Sequence, residues 1–294
     1  MVLIGVCGPS HSGKNTVLEY LEDKLSFNII SKEKINLEYV TRNWQRNMAF
    51  RIDNPIEQIP KFKKRPFFVS LGVESPLNLR MKRVEHNANN ILNDETPWGS
   101  ILSSCQVIVV NNGSLEDLWT CIDSIDILDP KWIRPPWDSY FMQLAELASH
   151  RSNCMKRRVG AVLVKNSIIM ATGYNGTPRY YPNCLDGYCA RCNDADVKCG
   201  QKLDECFCLH AEENALLEAG RDRANGGTIY CNTCPCIGCA KKIAQVGIKR
   251  VVYSVSYGMD SLTKEFFRAV NIELLQHEVQ LNYPKTFYSK PLYN

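Results

Sequence analysis

The chain has 294 residues, of which 45% are hydrophobic and 22% charged, enough for one large domain or two modest ones. Lys and Arg number 35 against 31 Asp and Glu, and a net charge of +4 is too small to indicate a stable complex with nucleic acid. No apolar stretch approaches the roughly 20 residues that span a bilayer, and the first residues lack a secretory signal. We therefore expect a soluble protein of the cytoplasm or the nucleus, without a membrane partner.

The first elements predict a small α/β domain. Met1–Val6 is a short apolar run typical of a strand, and a glycine-containing loop and a helical pattern follow it. Gly8, Gly13 and Lys14 have the spacing of a phosphate loop, in which backbone amides and a lysine hold phosphate groups. Asn15 stands where a Ser or Thr would hold magnesium, so we expect the phosphate loop to be degenerate.

Two later apolar runs, Phe67–Val73 and Cys105–Val110, predict further strands of a parallel sheet. They and the residues after them resemble segments of nucleoside-monophosphate and dephospho-CoA kinases. We expect residues 1–125 to form a domain similar to the P-loop NTPases, either structural, nucleotide-sensing or active as a kinase. Residues 126–136 contain three prolines and are predicted to be a linker.

Residues 137–294 predict a mixed sheet flanked by helices. The first helix of this segment is expected to be capped by Asp138 or Ser139. Another helix is expected to end at Gly220. The predicted strands are Gly160–Val164, Ile168–Tyr174, Thr228–Cys231, Lys249–Tyr253 and Ile272–Leu275.

The cysteines are concentrated in this second segment. Eleven of the 14 lie between Cys154 and Cys239. In a chain without an export signal, such a concentration indicates metal ligation or catalysis more than disulfides.

The sequence His210-Ala211-Glu212 and the later Pro235-Cys236-Ile237-Gly238-Cys239 predict a zinc site. One imidazole and two thiolates leave a fourth position for water, the arrangement of catalytic zinc. Glu212 is placed to transfer protons beside that water. This H-x-E and P-C-x-x-C pattern is typical of zinc nucleobase deaminases. The alternative is a closed structural site with Cys234 as the fourth ligand.

Several motifs together resemble the cytidine and deoxycytidylate deaminase superfamily. They are Val159–Val162, Gly173–Pro178, His210–Ala215, Pro235–Cys239 and Val251–Tyr253. The second and third motifs are most similar to those of deoxycytidylate (dCMP) deaminases, and fungal members carry a comparable N-terminal extension. The resemblance implies a cytidine deaminase-like fold, preceded by the P-loop NTPase-like domain.

The resemblance implies hydrolytic deamination of dCMP at carbon 4, which supplies dUMP for thymidylate synthesis. It implies zinc on His210, Cys236 and Cys239, with Glu212 as the proton shuttle. Asn175 would hydrogen-bond the sugar, and Tyr257 would lie against the nucleotide. The substrate phosphate also needs cations, and the run Lys156-Arg157-Arg158 makes Arg158 a candidate.

The resemblance further implies a homo-oligomer, often a hexamer, with dCTP as activator and dTTP as inhibitor in the presence of magnesium. The loop Gly176, Thr177 and Pro178 is implicated in this regulation.

A second, structural zinc is expected in the cysteine-rich insertion, because Cys189-x-x-Cys192 has the spacing of a zinc knuckle. The resemblance points to Cys154, Cys184 and Cys208 as ligands. The fourth ligand is Cys189, Cys192 or Cys206.

Three alternatives remain open. The chain could deaminate another cytosine or adenine nucleotide, or a tRNA base. It could instead be a P-loop nucleotide kinase with a zinc-stapled regulatory domain. It could also be a zinc-dependent nucleic-acid-binding module, since cysteine clusters also build zinc fingers. Ammonia release from dCMP, nucleic-acid binding and ATP turnover distinguish these functions.

Overall fold

The computed structural model describes residues 1–84, 91, 94–198, 201–256, 258, 260–277 and 285–290. The chain forms two compact units. One consists of Met1–Pro135 and Asn282–Asn294, and the other of Pro136–Leu281. Among the described residues, no helix combines the length and the apolar character that crossing a membrane requires.

The first unit contains a parallel sheet of six strands. Its order is β11-β5-β4-β1-β3-β2, so the first strand of the chain lies inside the sheet. The predicted strand, glycine loop and helix are present as β1 and α1. The strands are β1 (Leu3–Cys7), β2 (Asn28–Ile29), β3 (Met48–Arg51), β4 (Phe68–Glu74), β5 (Val107–Val110) and β11 (Lys285–Tyr288).

Helices cover both faces of this sheet, and its inner strands β1, β4 and β5 are accordingly buried along nearly their whole length. The helices are α1 (Lys14–Leu25), α2 (Leu37–Arg42), α3 (Pro55–Phe62), α4 (Leu77–Lys82), α5 (Trp98–Ser103) and α6 (Leu115–Ile125). The last of these begins with a capping box formed by Ser114 and Asp117.

The expected domain boundaries need correction at both ends. Residues 126–136 were expected to be a linker, but Trp132 is 2% exposed and packs in the core of the first unit. Its indole Nε1 donates to the carbonyl of Asp126, and its own carbonyl accepts from Gln106. Residues 137–294 were expected to form one domain, but β11 pairs in parallel with β5 of the first unit.

The second unit contains the predicted mixed sheet, with strand order β10-β9-β8-β6-β7. Strand β6 pairs antiparallel with both β7 and β8, and the pairs β8–β9 and β9–β10 are parallel. The strands are β6 (Gly160–Lys165), β7 (Ile168–Tyr174), β8 (Thr228–Thr233), β9 (Arg250–Val255) and β10 (Glu273–Gln276).

Helices also lie on both faces of this second sheet. They are α7 (Trp137–Ser149), α8 (Ala190–Asn193), α9 (Ala211–Ala224), α10 (Ile237–Gln245) and α11 (Asp260–Ala269). Successive residues of one strand face opposite sides: Val162 packs with α7, whereas Leu163 packs in the core that contains α9 and α10. Gly220 interrupts α9 with a positive φ of 71°, as expected for a helix-ending glycine.

The predicted cap of α7 is wrong. The helix begins at Trp137 after Pro136, and no side chain caps it. The Asp138 carboxylate instead accepts two hydrogen bonds from Arg250, at 2.7 and 2.8 Å, and one from Tyr230 at 2.8 Å. These bonds hold the pKa of Asp138 below its usual range, chiefly through Arg250. Asp138 therefore joins helix α7 to strands β8 and β9.

A glycine in β7 allows α9 to lie close to the sheet. A Cβ atom on Gly173 would lie 2.1 Å from the carbonyl oxygen of Ala211 and 2.6 Å from the nitrogen of Ala215. No side chain larger than hydrogen fits at that distance. The first turn of α9 is therefore fixed against β7, at the end of the helix that carries the candidate zinc ligand.

Candidate metal centre and active site

Two helix N-termini bring the three predicted zinc ligands together. His210 directly precedes α9, Cys236 directly precedes α10, and Cys239 lies in the first turn of α10. The Nδ1 atom of His210 is 3.4 Å from the Sγ of Cys236 and 3.3 Å from the Sγ of Cys239. This arrangement of one nitrogen and two sulfur donors fits a zinc ion with one open position.

Local hydrogen bonds and charges fix these ligands. The backbone N–H of His210 donates to the Glu213 carboxylate at 2.8 Å, which closes a capping box at the start of α9. Contacts with Cys239 and then with His210 lower the pKa of Cys236 to about 3. Cys236 is therefore a thiolate at neutral pH, which is the form that binds zinc.

Glu212 lies in the first turn of α9 and is only 3% exposed. Burial raises the pKa of its carboxyl group above the usual value. Among the described residues that line the adjoining cavity, Glu212 is the one carboxylate. The structure thus places a buried group that can hold and release a proton beside the three zinc ligands.

The alternative of a closed site does not fit this geometry. The cluster of potential ligands among the described residues contains His210, Cys236 and Cys239 without Cys234. The three-donor set is therefore the one that fits catalytic zinc.

The cavity beside Glu212 is formed by residues of both motifs and of the cysteine-rich insertion. It is lined by Cys154, Lys156, Arg157, Val159, Asn175, Arg191, Leu203, Cys206, Cys208, His210, Ala211, Glu212, Thr233, Cys234 and Cys236. Two of the predicted zinc ligands, His210 and Cys236, therefore border the same space as the predicted sugar-binding residue Asn175.

Asn175 lines this cavity, but its amide group also holds the surrounding backbone. Its Oδ1 accepts from Ser152 Oγ at 2.6 Å and from the backbone N–H of Val159 at 2.8 Å, and its Nδ2 donates to the carbonyl of Arg157 at 2.9 Å. No local sequence pattern points to Ser152, because its contact with Asn175 joins residues 23 positions apart. Asn175 therefore shapes the wall from which the neighbouring cations project.

The prediction that Arg158 is the phosphate-binding cation needs correction, because Arg158 is not among the described residues that line the cavity. The cations that line the cavity, among described residues, are Lys156, Arg157 and Arg191. Arg158 lies between two lining residues, and its carbonyl accepts from Asn232. Residues 156–159 have no regular secondary structure, and in this segment Lys156, Arg157 and Val159 line the cavity whereas Arg158 does not. Arg191 was missed, although it lies between the two cysteines of the Cys189-x-x-Cys192 motif.

Six cysteines, Cys154, Cys184, Cys189, Cys192, Cys206 and Cys208, pack together at the centre of the insertion, and we call them the cysteine cluster. The sulfurs of Cys154, Cys184, Cys192 and Cys208 lie within 4.8 Å of one another. Contact with Cys208 lowers the pKa of Cys154 to about 5. Cys192 therefore lies with Cys154, Cys184 and Cys208, the three ligands that the resemblance implies.

The loop expected to bind effectors pairs with the segment that precedes the zinc ligand. Gly176 and Leu209 exchange two backbone hydrogen bonds, at 2.8 and 3.2 Å. Thr177 Oγ1 is buried and has no hydrogen-bond partner among the described residues, and the carbonyl of Pro178 accepts from Tyr181. Tyr257, expected to contact the nucleotide, lies outside the described residues.

The phosphate-loop residues of the first unit join β1 to α1. Gly8 and Gly13 have positive φ angles of 154° and 106°. Lys14 Nζ donates to the carbonyl of Pro9 at 2.6 Å, within the loop itself. Burial lowers the pKa of Lys14 to about 8. Asn15 contacts Arg51 at 3.4 Å, so the position usually given to a magnesium ligand faces a cation.

Comparisons with known proteins agree with this site. Residues 135–255 match the family described as the cytidine and deoxycytidylate deaminase zinc-binding region. The deoxycytidylate deaminase of Schizosaccharomyces pombe is 41% identical over 94% of this chain and 98% of its own length. That of Saccharomyces cerevisiae is also 41% identical, over 94% of this chain and 96% of its own length.

A solved structure of the dCMP deaminase from cyanophage S-TIM5, in complex with dCMP and dUMP, is 33% identical. The match covers 49% of this chain and 98% of the phage chain, with a TM-score of 0.41.

The mixed sheet, the three-donor site and the buried glutamate define a zinc-dependent deaminase of the cytidine deaminase type. The chain belongs to the deoxycytidylate deaminase family, and the two yeast relatives share its length as well as its catalytic segment.

Proposed function

We propose that this chain catalyses the hydrolytic deamination of dCMP to dUMP and ammonia, which supplies dUMP for thymidylate synthesis. The observation that carries this proposal is the cluster of His210, Cys236 and Cys239, of which His210 and Cys236 line one cavity together with the buried Glu212. The relatives that match over nearly the whole chain are deoxycytidylate deaminases.

The proposed reaction forms a bond from carbon 4 of the pyrimidine to the oxygen of water and breaks the bond to the amino group. Zinc, when bound, supplies Lewis-acid activation of the attacking water. Glu212 takes a proton from the water and protonates the ring nitrogen next to carbon 4. The same carboxyl group then carries a proton to the departing ammonia, so it ends the cycle as it began.

We assign recognition of the substrate phosphate to the cations that line the cavity. Arg157 offers a planar guanidinium group, which suits phosphate oxygens. Arg191 donates from Nε to the carbonyl of Gln201 at 3.0 Å and faces the sulfur of Cys192, so it adds positive charge to the same wall. Lys156 is held by the carbonyls of Asp194 and Val197, at 2.6 and 2.9 Å, and so contributes mainly positive charge. Asn175 holds this wall in place, and the second hydrogen of its Nδ2 is assigned to the sugar.

The proposal is tested by ammonia release from dCMP, cytidine, CMP and dCTP, measured side by side with the metal content of the same sample. Turnover is expected with dCMP and zinc. A zinc-containing chain that releases no ammonia from dCMP would reject the proposed reaction. Preference for cytidine would reject the role of the lining cations, because a nucleoside carries no phosphate.

Regulation and assembly form a second part of the proposal. The chain is proposed to form a homo-oligomer, with dCTP activating and dTTP inhibiting in the presence of magnesium. The loop of Gly176, Thr177 and Pro178 is proposed to transmit this response, because Gly176 pairs with Leu209, the residue before the zinc ligand His210. Light scattering and initial rates with each nucleotide test the assembly and the regulation separately.

The first unit is proposed to be a structural domain with a degenerate phosphate loop. Lys14 donates to a carbonyl of its own loop, and Asn15 replaces the hydroxyl residue that would hold magnesium. ATP turnover by the full chain would contradict this assignment.

A structural zinc site is also proposed in the cysteine cluster. Thiolate ligation supplies folding free energy to a segment that has little apolar core of its own.

A further inference from the structure

The cysteine cluster is the buried centre of the insertion. Cys184, Cys189, Cys192 and Cys208 are buried, and the partly buried residues packed against them are also cysteines. All six are free thiols and none forms a disulfide. A buried centre made of thiols rather than aliphatic side chains indicates ligation of metal.

The cluster contains two overlapping sets of four sulfurs. One set is Cys154, Cys184, Cys192 and Cys208, and the other is Cys189, Cys192, Cys206 and Cys208. The sulfurs of each set lie within 4.8 Å of one another. Cys192 and Cys208 belong to both sets.

The sulfur spacing fits tetrahedral zinc in each set. With a Zn–S bond of about 2.3 Å, the sulfurs of a regular tetrahedron are separated by about 3.8 Å. In the first set, the sulfurs of Cys154 and Cys192 are 3.8 Å apart. In the second, the sulfur of Cys206 is 3.9 Å from that of Cys189 and 3.5 Å from that of Cys192.

We infer that the cluster holds two zinc ions, with the sulfurs of Cys192 and Cys208 bridging them. Each ion then has four thiolate ligands, and all six cysteines are used, as in Zn₂Cys₆ modules. This inference deepens the structural-zinc part of the proposed function. Together with the catalytic site, it assigns three zinc ions to each chain.

A nearby positive charge supports the proposal that two sulfurs bridge the zinc ions. Six thiolates and two Zn²⁺ ions carry a net charge of −2, which burial penalises unless it is offset. Arg191 is buried, and its Nη1 lies 3.8 Å from the sulfur of Cys192. The backbone N–H of Met155 donates to the sulfur of Cys184 at 3.5 Å. A cation thus faces one of the bridging sulfurs.

A single zinc ion accounts for less of the geometry. An ion in the first set would leave the buried Cys189 and the partly exposed Cys206 as free thiols, with their sulfurs 3.9 Å apart. Such thiols are susceptible to oxidation. The second ion removes this liability, because it converts both thiols into ligands.

Elemental analysis of the full chain and of the His210→Ala variant tests the inference. We expect three zinc ions per chain, falling to two in the variant, which loses the catalytic ion. Two ions in both proteins would uphold the binuclear cluster while rejecting the catalytic zinc. Two ions falling to one would overturn the binuclear cluster while leaving the catalytic zinc. Iron with inorganic sulfide would overturn the assignment of zinc to the cluster.

Cadmium-113 NMR of the cadmium-substituted wild-type chain tests the bridging without any variant. Two resonances coupled to each other through the shared sulfurs are expected. A single uncoupled resonance from the cluster, beside that of the catalytic site, would overturn the inference.

Two variants compare a bridging cysteine with a terminal one. Cys206→Ser removes a ligand of one ion, so one zinc ion should be lost. Cys192→Ser removes a ligand of both ions, so two should be lost. Cys121→Ser, at a buried cysteine of the first unit, is the matched control and should retain all zinc. Equal loss of one ion in both cluster variants would overturn the bridging role of Cys192.

Discussion

Glu212→Gln separates the proton-transfer role of the carboxyl group from its shape. The glutamine side chain has nearly the same volume and fits the same buried position, but it cannot exchange a proton. General acid–base catalysis contributes about 10²–10⁴-fold to a rate. Glu212 is assigned several proton transfers, and no other carboxylate among the described residues lines the cavity to replace it.

We therefore expect kcat to fall by about 10³–10⁴-fold, equivalent to about 4–5.5 kcal/mol in the activation free energy. Zinc content and KM should change little, because Glu212 is assigned neither to the metal nor to the phosphate. The assay is ammonia release from dCMP, with zinc measured on the same sample.

Glu218→Gln is the matched control, because it makes the same chemical change on the same helix. Glu218 is 63% exposed and lies 3.9 Å from Arg179, so the variant should keep full activity. If Glu212→Gln retained more than a tenth of the wild-type kcat with its zinc in place, the proton-shuttle assignment would be wrong. If Glu212→Gln lost its zinc, the loss of activity would reflect the metal and not proton transfer.

Three further predictions concern the scaffold and the metal. Gly173→Ala places a methyl group 2.1 Å from the carbonyl oxygen of Ala211, so it should lower the free energy of unfolding by about 1–3 kcal/mol and reduce turnover. Gly99→Ala is the control, because its methyl group meets no atom within 4 Å, and it should change neither stability nor turnover. Thermal unfolding and ammonia release measure the two effects. Asp138→Asn should lower the stability of the second unit by about 2 kcal/mol at pH 7, because it weakens hydrogen bonds to a charged group. Arg250 lowers the pKa of Asp138 in the folded state, so the stabilisation is present above the usual pKa near 3.8 and is lost as the pH falls below it. The unfolding temperatures of wild type and variant should therefore converge in acid. Removal of zinc by a chelator should abolish ammonia release, and added zinc should restore it; activity that survives a verified loss of metal would refute the metal's role.

The catalytic ligands were predictable because short-range spacing determines them. Cys236 and Cys239 are three residues apart at the start of one helix, and Glu212 is two residues from His210, so local geometry alone limits where these side chains point. The cation that lines the cavity was not predictable to one residue. Residues 156–159 form an irregular segment, and only the packed structure shows that Arg157 lines the cavity and Arg158 does not.

Long-range pairing explains the other differences. Strand β11 has four residues and pairs with β5, whose residues lie 178 positions earlier in the chain. No local pattern distinguishes such an edge strand from a C-terminal tail. The hydrogen bond between Ser152 and Asn175 organises the wall of the cavity, but no local sequence pattern predicts it because the two residues are 23 positions apart. The Asp138 carboxylate resembled a helix cap in sequence because its partner Arg250 is 112 residues away.

The cysteine cluster and the catalytic site are joined through a very short segment. Cys208 belongs to the cluster, and only Leu209 separates it from the zinc ligand His210. Leu209 is held on its other side by two backbone hydrogen bonds to Gly176, which follows Asn175. On the proposal that Cys208 binds zinc, the backbone on both sides of Leu209 would be anchored, which would limit the positions that the His210 imidazole can occupy. Metal in the insertion would then do more than stabilise a loop, because it would fix His210 and the wall of the cavity relative to each other.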